Sequence, residues 1–139
     1  MNDKYLDRVT SIKRLISEYE EHGSLIVAYE YENTVVLPDA ECPEIIALLR
    51  KAESLGFILI LFTGRNNDEI GEIVLDLNSK RVPFHFINES PHNIPFSNNK
   101  VFYNILLDGR AGLSEAKDQL ESVIAHILSI KSSNNLEGL

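Results

Sequence analysis

The sequence lacks the features that secreted and membrane proteins need. It contains a single cysteine, Cys42, so no disulfide can form within the chain, and a reducing, cytoplasmic setting is the default. No apolar run approaches the roughly 18 residues needed to cross a bilayer. The charged N-terminus also has no apolar core of the kind found in signal peptides. We therefore expect a cytoplasmic protein that does not enter a membrane.

Positive charge is also scarce in this chain. It has 13 basic and 21 acidic residues, which gives a formal net charge of −8. Proteins that bind nucleic acid through its phosphate backbone need a basic surface, so this balance argues against a nucleic-acid partner. It leaves room for a small phosphorylated ligand that is held by a few local cations.

The 139 residues, 44% of them hydrophobic, suffice for one domain with a real core. Apolar periodicity predicts strands that alternate with helices, which is typical of a parallel sheet. We expect a three-layer, Rossmann-like α/β fold with helices on both faces of a mainly parallel sheet. The predicted strands cover about residues 24–30, 57–62, 83–88 and 101–107. The first predicted helix covers about residues 3–21. The second begins at Pro43, the third follows the cap Asn66, and the fourth begins at the cap Ser114.

The expected domain spans residues 1–139. Within it, residues 1–22 form an added N-terminal helix, and residues 132–139 form a polar, flexible tail. The apolar stripe of the N-terminal helix must be buried, either on the domain itself or against a second copy of the chain. The second alternative would make the protein a homo-oligomer.

Polar side chains follow the predicted strands where each strand ends. Glu30 and Glu32 come after the first strand, and Thr63 comes after the second. Lys100 precedes the last strand, and Asp108 follows it. The carboxyl ends of parallel strands meet along one edge of a sheet, where ligands bind. We therefore expect these five side chains to gather in one crevice.

This order of residues resembles the haloacid dehalogenase-like (HAD) superfamily, whose members are mostly Mg2+-dependent phosphohydrolases. The first family motif, Asp-x-Asp-Gly-Thr after a hydrophobic strand, is similar to the segment 30–34, Glu-Tyr-Glu-Asn-Thr. The second motif corresponds to Thr63, the third to Lys100, and the fourth to Asp108-Gly109. The segment 88–91, Asn-Glu-Ser-Pro, also resembles a loop of small family members. The resemblance covers about residues 24–128.

The resemblance implies a role for each matching residue. Glu30 would be the nucleophile and a metal ligand, and Glu32 would be the general acid and base, with its backbone carbonyl on the metal. Thr63 would donate a hydrogen bond to the phosphoryl oxygens, and Lys100 would neutralise their charge. Asp108 would help to hold Mg2+, a hard cation that prefers oxygen ligands. The implied substrate is a phosphorylated compound of unspecified identity.

The chain departs from the family pattern at the residues that carry the chemistry. Both aspartates of the first motif are glutamates, its glycine is Asn33, and the second acid of the fourth motif is Gly109. The extra methylene moves a carboxylate by roughly 1.5 Å, and a displacement near 1 Å can cost about 100-fold in rate. Two hypotheses follow. The protein is either a Mg2+-dependent phosphohydrolase, or a catalytically degenerate relative that binds a phosphorylated ligand or a partner.

Each site residue also has a simpler interpretation. The two glutamates can be ordinary loop acids in solvent, and Lys100 can be a solvated charge. Thr63 can serve only the backbone of a strand-to-helix turn, and Asp108-Gly109 can be a tight turn. Arg65 and Arg110 can either pair with acidic neighbours or reach the ligand.

Two further expectations concern the class of protein and the shape of its site. In receiver-like phosphoacceptor domains the acceptor aspartate ends the middle strand and a threonine follows it. Here Thr63 comes before the strand that ends in Asn88, which argues against that class.

HAD-like proteins often carry an inserted cap domain, but residues 35–42 and the loop 89–99 are too short for one. We therefore expect an open site without a cap.

Overall fold

The computed structural model describes residues 5–92 and 100–137. Four helices and six strands occur in these ranges. The helices are α1 (Arg8–His22), α2 (Pro43–Ser54), α3 (Asn67–Ser79) and α4 (Leu113–Glu137). The strands are β1 (Ile26–Tyr29), β2 (Val36–Leu37), β3 (Ala40–Glu41), β4 (Ile58–Leu61), β5 (Phe86–Ile87) and β6 (Ile105–Leu107).

Four of the strands form a parallel sheet in the order β5-β4-β1-β6, and β2 and β3 form a separate antiparallel hairpin. The register places Tyr29 of β1 opposite Leu61 of β4 and Leu107 of β6. The three strands therefore end level with one another, and the residues that follow them emerge along one edge. The predicted α/β class and the Rossmann-like arrangement around a parallel sheet are confirmed.

Two buried clusters cover the two faces of the sheet. On the first face, Val27, Leu59 and Ile105 pack with side chains from all four helices. On the second face, Ile26, Ala28 and Ile60 pack with the segment 101–103 that precedes β6. The β5 to β6 connection therefore supplies the described residues of this third layer.

Turn chemistry sets several element boundaries as the sequence predicts. Gly23 ends α1 in a left-handed conformation (φ 74°), with its N–H on the carbonyl of Tyr19 at 2.7 Å. Pro43 occupies the first turn of α2. The Asn66 side chain accepts the N–H of Glu69 at 3.0 Å and caps α3.

Other boundaries differ from the predicted ones. α1 begins at Arg8 because the Asp7 side chain caps it, accepting the N–H of Thr10 at 2.9 Å. α4 begins at Leu113, so Ser114 is not its cap but lies in its first turn. This helix also continues through Glu137, into the stretch predicted to be a flexible tail. No glycine or proline interrupts the chain between Gly112 and Gly138, so nothing stops the helix earlier.

The connections between elements are short. The hairpin of β2 and β3 fills the segment 35–42, where the sequence analysis assigned no structure. Of the loop predicted at 89–99, residues 93–99 lie outside the described part of the chain. In the ranges that the structure covers, no helix has the length and apolar character to span a membrane.

The stripe of α1 packs on the domain. Leu15 is fully buried in the first cluster, and Ile12, Ile16 and Tyr19 pack against it. This is one of the two alternatives that the sequence left open. Self-association of the chain stays a prediction.

Because Leu15 is part of the main core, truncating it tests whether α1 belongs to the folded unit. We expect Leu15→Ala to lower the free energy of unfolding by about 2–5 kcal/mol, through lost burial and the cavity left behind. The control is Leu75→Ala in α3, where the leucine is 72% exposed and the expected change is within about 0.5 kcal/mol. Urea unfolding followed by circular dichroism measures both. Equal effects of the two changes would contradict the packing of α1 on the domain.

Candidate functional site

A cavity of about 340 Å3 lies at the carboxyl ends of the parallel strands. Its volume is in the range of pockets that hold small molecules, about 300–1,000 Å3. The residues that line it are Glu30, Glu32, Asn33, Gly64, Arg65, Asp108 and Arg110. Three of the predicted site residues, the acids that follow β1 and β6, therefore share one cavity.

The sheet fixes the backbone of Glu30. It follows β1 directly, and its N–H donates to the carbonyl of Leu107 in β6 at 2.9 Å. The pKa of its carboxyl is raised, chiefly by partial burial and then by the negative charges of Asp108 and Glu32. Arg65 opposes this shift. The raised pKa thus reflects burial first, and then the like charges gathered at the strand ends.

Glu32 is paired with Arg65. Its Oε1 accepts from Arg65 Nε at 2.7 Å and lies 2.6 Å from Nη2 of the same guanidinium. The remaining nitrogen, Nη1, reaches Glu69 Oε2 at 3.1 Å. Arg65 thus pairs with acidic neighbours, one of the two interpretations that the sequence allowed. The Arg65 and Glu32 side chains are 46% and 38% exposed, so the pair contributes little to stability.

Thr63 organises the strand-to-helix turn. Its Oγ1 accepts the N–H of Arg65 at 3.2 Å, and the residue is buried. The side-chain amide of Asn88 forms hydrogen bonds with both backbone polar groups of Thr63. Its Oδ1 accepts the Thr63 N–H at 2.8 Å, and its Nδ2 donates to the Thr63 carbonyl at 2.7 Å. Thr63 is not among the residues that line the cavity. Its observed contacts are those of the simpler, turn-forming interpretation.

Asp108 and Gly109 form a tight turn that also shapes the cavity. Asp108 Oδ1 accepts the N–H of Arg110 at 2.8 Å. The N–H of Gly109 donates to the hydroxyl of the buried Thr34 at 3.0 Å, which ties the turn after β6 to the turn after β1. A Cβ at position 109 would lie 2.4 Å from the carbonyl oxygen of Asn33. The turns as placed leave no room there for any side chain, and therefore none for a second acid.

Lys100 is exposed and does not line the cavity. The cations found there are Arg65 and Arg110. The backbone roles of Asn33, in the turn after β1, and Asn88, in the turn after β5, were not predicted; their φ angles are positive, at 59° and 54°. Asparagine is one of the few residues that tolerate this conformation, so its presence after a predicted strand was the sequence signal for such a turn.

The predicted magnesium ligands do not form a metal site as they are arranged. Within residues 5–92 and 100–137, no three Asp, Glu, His or Cys side chains are grouped to hold a metal ion. The Glu32 carboxylate is bound by Arg65, so this residue can offer a metal ion only its backbone carbonyl, and position 109 contributes no side chain. Since Mg2+ requires near-octahedral coordination by oxygen, the residues present do not fit it in this arrangement.

Comparisons with known proteins add little to this geometry. No protein-family model and no curated protein matches the chain. The chain is similar to a crystal structure of a target protein from Vibrio cholerae, with 22% identity and a TM-score of 0.41. The similarity covers 74% of this chain and 97% of the other. Similarity at this level defines neither a family nor a function.

The close approach at Gly109 leads to a stability prediction. Gly109→Ala would bring a methyl group against the Asn33 carbonyl, and we expect it to lower the free energy of unfolding by about 1–3 kcal/mol. The matched control is Gly71→Ala in α3, where a Cβ meets open space. That change should raise stability by roughly 0.5–1 kcal/mol, because alanine favours a helix interior. Urea unfolding of both variants checks the sign of each effect.

The raised pKa of Glu30 leads to a pH-dependent prediction. A carboxyl whose pKa is higher in the folded state binds its proton more tightly there, so its contribution to stability falls as pH rises from the ordinary to the raised value. Glu30→Gln removes this penalty. We expect the variant to be more stable than wild type at pH 7, with the difference shrinking near pH 4, roughly the ordinary pKa of glutamate.

The control for this prediction is Glu20→Gln, which removes one carboxylate from an exposed position on α1. Urea unfolding at the two pH values measures all three proteins. A stability difference between Glu30→Gln and wild type that does not depend on pH, or that equals that of the control, would contradict the raised pKa of Glu30.

Proposed function

We propose that this chain is a phosphatase-like α/β protein that binds a small phosphorylated ligand at the ends of its strands without hydrolysing it. The observation that carries the proposal is the Arg65–Glu32 ion pair inside the cavity. It places a guanidinium in the wall of the cavity. It also occupies the carboxylate that the resembling family uses as general acid and base.

The cavity offers groups that suit a phosphate ester. Guanidinium groups bind phosphate oxygens through paired, charge-assisted hydrogen bonds. Arg65 and Arg110 both line the cavity, and in the described part of the chain no carboxylate forms an ion pair with Arg110.

The carboxylates of the same cavity suit the other end of such a ligand. Glu30 and Asp108 can accept hydrogen bonds from hydroxyl or amino groups but cannot favour a second anion. A ligand with one phosphate and a polar, hydrogen-bond-donating body therefore matches this lining better than a polyphosphate.

Three departures from the resembling family support binding without turnover. The carboxylate of Glu30 is one methylene longer than an aspartate, which displaces the would-be nucleophile. Glu32 is engaged by Arg65, and the position of the second metal-binding acid is Gly109, next to the Asn33 carbonyl.

The second candidate is Mg2+-dependent hydrolysis with Glu30 and Glu32 as the reacting acids. The convergence of Glu30, Glu32 and Asp108 in one cavity favours it.

Phosphate-ester binding and turnover can be measured separately. We expect calorimetric titration with glycerol phosphate, which carries one phosphate and two hydroxyl groups, to show saturable binding in the absence of Mg2+. Arg110→Ala should weaken it about 10-fold, the effect of losing one charge-assisted hydrogen bond. The control is Arg8→Ala, which removes an equal charge from an exposed pair with Asp118 outside the cavity. Its affinity should match wild type.

Turnover of p-nitrophenyl phosphate is followed in parallel, with and without Mg2+. We expect none above background. Mg2+-dependent release of nitrophenol that is abolished by Glu30→Gln would establish the hydrolase instead. Absence of glycerol phosphate binding, or equal loss in both arginine variants, would refute a phosphate site in this cavity.

A further inference from the structure

Arg65 holds carboxylates on two sides. Its Nε and Nη2 face Glu32, which lies in the turn after β1, and its Nη1 faces Glu69 in the first turn of α3. Two anchors on different elements fix the direction of the guanidinium plane. The pair therefore joins the turn after β1 to the start of the helix after β4.

The same pair separates two cavities. A second cavity of about 240 Å3 lies beside the main one, and the two share Glu32 and Arg65 in their walls. The second cavity is lined by Tyr31, Glu32, Arg65, Glu69, Glu72 and Ile73. Carboxylates thus lie on both sides of Arg65, with Glu30 and Asp108 in the main cavity and Glu69 and Glu72 in the second.

We propose that Arg65 is the internal counter-cation of the main cavity and that it prevents a divalent cation from binding by occupying the Glu32 carboxylate. The carboxylates that this cavity can offer a metal ion are those of Glu30, Glu32 and Asp108, since Gly109 offers no side chain. With the Glu32 carboxylate bound to Arg65, only two of them remain beside the backbone carbonyl of Glu32. The metal ion and the guanidinium therefore compete for one carboxylate. This inference rests on the proposed function only in that both concern the same cavity. Metal binding is measured here without any phosphate.

The competition predicts how metal affinity changes when Arg65 is removed. With Arg65 removed, Glu32 is freed from its ion pair and its flexible side chain can turn toward the other two carboxylates. Hard divalent cations bind such sets of carboxylate oxygens. Losing Arg65 should therefore create metal affinity that the wild-type chain lacks.

The experiment titrates Mn2+ alone into the full chain and follows free Mn2+ by electron paramagnetic resonance. We expect Arg65→Gln to bind Mn2+ at least about 10-fold more tightly than wild type, because one carboxylate joins the ligands and one repelling charge is lost. Arg8→Gln, which removes the same charge elsewhere, should behave as wild type. Adding Glu30→Gln to Arg65→Gln should abolish the gain.

Two further variants keep the test decisive. Arg65→Met preserves the apolar stem of the side chain and should show the same gain if Arg65→Gln does not fold. Arg65→Lys retains a cation and should keep the low affinity of wild type. Equal affinity of wild type, Arg65→Gln and Arg65→Met, or a gain that survives the loss of Glu30, would overturn the proposal. Neither outcome bears on glycerol phosphate binding, so failure here and failure of the proposed function are distinguishable.

Discussion

The backbone pairing of β1 with β4 on one side and with β6 on the other is the constraint on which the site depends. Because Tyr29, Leu61 and Leu107 are level in the sheet, the chain leaves all three strands at the same height. Glu30 and Asp108 are the first residues beyond that line, and the negative charge of Asp108 contributes to the raised pKa of Glu30. A shift of one residue in either pairing would turn one of these side chains to the opposite face.

Charge then decides what this edge of the sheet can hold. The cavity gathers three carboxylates and two arginines, in a protein whose net charge is −8. Glu32 and Arg65 neutralise each other, while Glu30 and Asp108 repel each other. An anionic ligand must therefore be recognised by local guanidinium groups against an unfavourable overall field.

The sequence predicted the elements better than it predicted their contacts. Hydrophobic periodicity and turn residues identified the helices, the parallel sheet and the gathering of Glu30, Glu32 and Asp108. They could not show that the Thr63 hydroxyl binds backbone, because strand-end threonines serve turns and ligands alike. Lys100 was selected by its place in a motif, and sequence order says little about where a long, exposed side chain reaches. The partner of Arg65 depends on the distance between two loops, which periodicity does not encode.

The contact between Gly109 and the Asn33 carbonyl makes these two positions mutually dependent in evolution as well as in packing. A mutation that introduces an acid at 109 meets a steric barrier until the neighbouring turn has already moved. A richer set of acidic ligands at this edge thus requires at least two changes, of which the movement of the turn after β1 comes first. Such epistasis would hold the present lining of the cavity in place even under selection for a further acid.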